Sequence, residues 1–90
     1  AFMLAAVRGN AEVVSFLLRQ GSDPDVRNRY DERPLMLAAG EGHARIVRLL
    51  VEAGAELNTV DSSGETALRA AVENDRDEVV SLLLKMGARR

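Results

Sequence analysis

Ninety residues, 47% hydrophobic but only 3% aromatic, make one small domain with a core of Leu, Val, Ala and Ile, a mixture that suits closely packed helices. With no Cys and a single His, disulfide staples, thiolate metal sites and a histidine-based zinc site are excluded, so packing alone must hold the fold. A net charge of −2 argues against a generic nucleic-acid face, and no apolar run approaches the roughly 18 residues that cross a bilayer.

Taken in chain order, "AFMLAAV" (1–7) reads as a first apolar helix. Asn10 suits the start of a second, because its side chain can accept from an orphan backbone N–H. Val13, Val14, Leu17 and Leu18 follow the i, i+1, i+4, i+5 spacing of one buried helical face, with Ser15 and Arg19 outside it. Gly21 stops that helix, since only Gly enters the left-handed C′ conformation without penalty. The polar stretch "RNRYDERP" (27–34) follows and holds the only tyrosine. Pro34 then opens a helix to about Gly40, its missing N–H harmless at the first helical position. Arg33 precedes it and cannot cap, which forgoes about 1 kcal/mol. A further helix ends at Gly54, and a second polar loop, "TVDSSGET" (59–66), closes on Thr66, a plausible N-cap. In the last helix Asp77 and Glu78 place negative charge at the positive helix end, and Gly87 stops it.

These elements repeat. A shift of 33 residues aligns "AFMLAAVRGNAEVVSFLLRQGSD" (1–23) with "PLMLAAGEGHARIVRLLVEAGAE" (34–56), and a second shift reaches "ALRAAVENDRDEVVSLLLKMGAR" (67–89), all without a gap. Ala5, Ala38 and Ala71 coincide, as do Gly21, Gly54 and Gly87, and so do Val13, Ile46 and Val79. The alanines fall where helices of neighbouring units must approach closely, which large side chains would prevent. The fold expected is an all-α repeat in one domain, 1–90: repeat 1 over 1–33, repeat 2 over 34–66 and repeat 3 over 67–90.

"RPLMLAAGEGHARIVRLLVEAGAELNTVD" (33–61) resembles an ankyrin repeat, with its Pro-Leu-x-x-Ala-Ala opening, Gly-His, paired β-branched residues, Leu-Leu and Gly-Ala-x-x-Asn. The resemblance covers the whole chain. It implies a solenoid of helix-turn-helix units joined by β-hairpin fingers, with "VRNRYDER" and "TVDSSGET" as the fingers. Repeat 1 lacks its opening hairpin and repeat 3 stops after its second helix. Met3, Met36 and Arg69 stand where the family has His. Asp31 replaces the turn Gly that Gly64 keeps, and Asp75 replaces Gly9 and Gly42, so strained turns are expected there.

No catalytic residue, cofactor or metal is assigned. His43 has no convergent nucleophile and matches a structural position of the family, and "GEGH" (40–43) lies between helices without the strand a phosphate loop needs. The resemblance implies a non-catalytic scaffold that binds another protein through its fingers and the concave first-helix surface. Carried over by position, the surface is Arg27, Arg29, Tyr30 and Glu32 on the first finger, Val60, Ser62, Ser63 and Glu65 on the second, and Arg8, Gly40, Glu41, Glu73 and Asn74 on the first helices. Arg27, Arg29, Arg33 and Tyr30 share their loop with Asp31 and Glu32, a net +1 that fits protein recognition better than nucleic acid. A merely solvated loop, an architectural segment of a longer array and a nucleotide or small-ligand site at Tyr30 and Arg29 are the alternatives. The terminal helices are as apolar as interior ones, as in a piece of a longer array or one covered by another chain. A monomer or part of a longer chain, located inside the cell and not inserted in a membrane, completes the expectation.

Overall fold

The structure, a computed structural model, describes residues 2–88. Six helices form three pairs: α1 (Phe2–Arg8) with α2 (Ala11–Arg19), α3 (Pro34–Glu41) with α4 (Ala44–Glu52), and α5 (Ala67–Glu73) with α6 (Asp77–Lys85). Short turns fold each second helix back on its first. The first helices pack side by side in the order α1, α3, α5, the second helices in the order α2, α4, α6, giving a two-layered stack 32 × 26 × 21 Å.

The capping expectations hold. Asn10 Oδ1 accepts from the Val13 N–H at 3.2 Å and Thr66 Oγ1 from the Arg69 N–H at 3.1 Å, while Arg33 offers α3 no side-chain cap. Gly54, with φ of 99°, follows the last turn of α4 in a conformation that an L side chain resists. Asp31 and Asp75 do adopt the positive φ expected of them, 58° and 59°.

Leu35, Ile46, Leu50, Leu68 and Leu83 are the largest fully buried side chains, and no polar or charged residue is fully buried among the described residues. Ala6, Ala38, Ala39 and Ala71 are completely buried, as close approach of adjacent units requires. One expectation needs correction. Of the four residues assigned to the buried face of α2, only Val14 is buried; Leu17 and Leu18 are half-buried and Val13 is 40% exposed. Its counterparts Ile46 and Val79 are each covered by the preceding unit, and α2 has no such neighbour.

The loops expected as β-hairpin fingers reverse the chain tightly but contain no strand among the described residues. In the first, the Asn28 N–H donates to the Glu32 carbonyl and the Asp31 N–H to the Asn28 carbonyl, both at 3.1 Å. Asn28 Oδ1 also accepts from the N–H groups of Tyr30 and Glu32. In the second, Asp61 makes the matching bonds to Ser63, Glu65 and Gly64. A side chain thus takes donors that a longer ladder would have used.

Two bonds join the units through equivalent residues. His43 Nε2 lies 2.8 Å from the Val7 carbonyl oxygen, so that nitrogen carries hydrogen and donates. One period on, Arg76 Nε donates to the Gly40 carbonyl at 3.0 Å. The clasp needs bare backbone beside it: a Cβ on Gly9 would sit 2.7 Å from His43 Cε1, and one on Gly42 would sit 2.9 Å from Arg76 Cδ.

Candidate functional site

The fingers and first helices enclose a groove of about 180 Å³ lined by Glu32, Met36, Leu37, Gly40, Glu41, Asp61, Glu65, Ala70 and Asn74. The lining follows from the repeat. The first finger delivers one carboxylate, Glu32, and the second delivers two, Asp61 and Glu65, while α3 and α5 deliver Gly40, Glu41 and Ala70. Gly40 keeps the floor open, since a Cβ there would lie in ordinary contact with Asn74 and Ala70. Asn74 is held by its own Nδ2, which donates to the Ala70 carbonyl at 2.8 Å.

Five of the thirteen residues expected on the partner surface meet here: Glu32, Gly40, Glu41, Glu65 and Asn74. Val60 and Glu73 line a separate, larger groove of about 680 Å³ with Gly64, Thr66, Leu68, Arg69 and Val72, on the far side of α5. Arg27, Arg29, Tyr30, Ser62 and Ser63 are exposed on the finger tips and Arg8 on α1, and none of these six lines either groove. The Arg29 guanidinium sits over the Tyr30 ring, 5.8 Å from its centre, and Arg27 pairs loosely with Asp31 at 3.9 Å. Arg33 belongs to the interior of the finger instead: its side chain is mostly buried, with Nε 3.8 Å from Asp25.

Sequence reasoning missed Asp61 and Leu37 as groove residues, although the 33-residue period makes Asp61 the partner of Asn28; Met36, which the sequence left open between lining a concave groove and packing at the helix–finger junction, lines the groove. It also missed a carboxylate pair. Glu65 hydrogen-bonds to Glu73, and this, with partial burial and the charges of Glu73 and Asp61, raises its pKa above the ordinary glutamate range. Glu73 moves the other way, lowered by accepting from Glu65 and from Arg69, whose Nε lies 3.4 Å away.

The tips are tied to each other. The Ser62 N–H donates to the Tyr30 carbonyl at 3.0 Å, and the Asp25 carboxylate accepts from the Glu56 N–H at 3.3 Å. The arrangement is a notched, acid-lined surface with fixed spacing. No cluster able to hold a metal ion occurs among the described residues, and no helix among them is long and apolar enough to cross a membrane.

The family model described as ankyrin repeats, in three copies, matches residues 2–89. No curated protein matches the chain.

Proposed function

This chain belongs to the ankyrin-repeat family, whose members are generally protein-interaction modules, and from that premise we propose that it is a non-catalytic scaffold binding a partner protein across its fingers and first helices. The observation that carries the reading is the groove between the fingers and α3 and α5. Glu32 and Asp61 are held there by hydrogen bonds within their turns, and none of its carboxylates is needed to fill the core. Glu32, Glu41, Asp61 and Glu65 give it negative charge, which favours a partner segment bearing Lys or Arg and contributes to steering and specificity more than to affinity. Tyr30, Arg29 and the other exposed tip residues extend the contact as a rim, where an aromatic ring and guanidinium groups suit an interface. The nucleotide reading has less support, because Tyr30 and Arg29 line neither of the two grooves and the Arg29 guanidinium already lies over the tyrosine ring.

The test is affinity capture from lysate of the source cell with three folded baits. One is the parent; the second carries Glu41→Ala with Asn74→Ala; the third carries Arg48→Ala on the exposed surface of α4. The groove variant is expected to lose a protein that the parent and the α4 variant both retain. Equal capture by all three would overturn the reading.

A further inference from the structure

We propose that the face of α1 and α2 turned away from the molecule receives one more helix pair of the same repeat, placed ahead of α1, and that the opposite face, on α5 and α6, is closed to one. The inference concerns the two ends of the stack and does not depend on what occupies the groove.

The argument compares equivalent positions. Leu4, Leu37 and Ala70 lie one period apart, as do Val13, Ile46 and Val79, and Phe16, Leu49 and Leu82. In the second and third units these positions are buried or half-buried. Ile46 and Val79 are 1% exposed there, and Ala70 is 8% exposed. In the first unit the same positions carry Leu4 at 52%, Val13 at 40% and Phe16 at 53% exposed, together an apolar patch. The patch continues, one period earlier, the two unit-to-unit interfaces already formed by α1–α2 on α3–α4 and by α3–α4 on α5–α6. By continuity with those seams, what covers it is a unit like α3–α4, with a small residue at the place of Ala39 and a glycine at the place of Gly42. Asn10 stands where His43 and Arg76 stand, and it caps its own helix, so this seam forms without a clasp.

The other end has lost both features. Ala6 and Ala39 become Val72, Met3 and Met36 become Arg69, and Gly9 and Gly42 become Asp75. Arg69 turns to Glu73 across that face at 3.4 Å. Asp75, at φ 59°, carries a Cβ and a carboxylate where Gly9 and Gly42 leave room for the next unit's His43 or Arg76. A helix pair docking there would meet a branched side chain at its closest approach and would have to desolvate an ion pair, two sources of destabilisation absent at both existing seams. A second copy of this chain stacked head to tail would bring this same face to the apolar patch, so the occupant committed to is a repeat with Ala and Gly at those positions.

The test extends the chain at each end with its own sequence. In one protein residues 34–66 are inserted ahead of residues 1–90; in the other residues 25–57 are appended behind them, both in register with the 33-residue period. The insertion is expected to raise Tm by on the order of 10 °C, through apolar burial at the new seam. Phe16→Asp should lower Tm of the inserted protein far more than that of the parent. The appended protein is expected to gain nothing until Arg69→Met, Val72→Ala and Asp75→Gly are made together. A gain from appending that equals the gain from inserting would overturn the proposal. So would an insertion without gain, an equal effect of Phe16→Asp in both backgrounds, or a parent that self-associates through the patch in sedimentation.

Discussion

Replacing Gly42 by Ala tests the clasp directly, because Gly54 supplies an internal standard. Both glycines have positive φ, 82° and 99°, so alanine at either incurs backbone strain of about 1–2 kcal/mol. Only at Gly42 does the added Cβ meet anything: Arg76 Cδ at 2.9 Å and Nε at 3.2 Å, against nothing within 4 Å at Gly54. The arginine stem must move away, and the bond from Nε to the Gly40 carbonyl is lost with it. An exposed bond of that kind contributes about 0.5–1.5 kcal/mol. Gly42→Ala should therefore cost about 2–3 kcal/mol and Gly54→Ala about 1–2 kcal/mol, a difference near 1 kcal/mol. Urea unfolding with a common m-value measures both, and Arg76→Ala closes the cycle by removing the obstacle. In the Arg76→Ala background the two glycine substitutions should become equally destabilising. Equal losses in the parent background, or a difference that survives Arg76→Ala, would refute the reasoning.

The core and the turns give further expectations. Leu50→Ala, at a fully buried site between units, should cost about 2–5 kcal/mol, whereas Phe16→Ala should cost less than about 1 kcal/mol because that ring is half exposed; urea unfolding compares them. Asp31→Gly relieves a positive φ at the loss of only a weak exposed pair with Arg27, and should raise stability by about 0.5 kcal/mol after the entropy of the unfolded glycine is counted. Carboxyl NMR titration should find Glu65 above and Glu73 below the usual glutamate midpoint, and Glu73→Gln should bring Glu65 back down. Because Glu65 is raised, its contribution to stability is full at acid pH and fades as pH rises through its folded pKa. Glu73 is lowered, so its contribution is full above the unfolded pKa and fades as pH falls through its folded pKa. The two slopes oppose, and Glu73→Gln, which removes one and brings Glu65 back down, should flatten both.

Much of the fold was legible in the sequence because its causes are local or periodic. Asn10 and Thr66 cap within three residues, the C′ glycines act within one turn, and the 33-residue period carries the burial of Ile46 and Leu50 over to Val79 and Leu83. Features that depend on stacking were not legible. Arg76 bonding to Gly40 joins residues 36 apart, and nothing in the type of residue 76 announces that an arginine replaces the histidine of the unit before. Val13 misled for the same reason, since its helical spacing reports which face is apolar and not whether a neighbour covers it. The groove was half visible: Glu32 and Glu65 follow from the period, but their convergence with Glu41, Asp61 and Asn74 needs the curvature of the stack. Arg33, read with the exposed cluster, turned inward because Asp25 lies behind the finger.

The bond from the Ser62 N–H to the Tyr30 carbonyl has a consequence for how a partner must arrive. It couples the two tips, so changing the distance between them costs that bond. A surface of that kind works as a ruler. If the fingers are the contact surface, as proposed, a partner whose own contact points match the spacing would lose less of its interaction energy to ordering the loops. One that is mismatched by a single contact point gains no help from flexing of the fingers. Discrimination among similar segments would then lie in length as much as in charge, and would survive salt concentrations that screen the carboxylates of the groove.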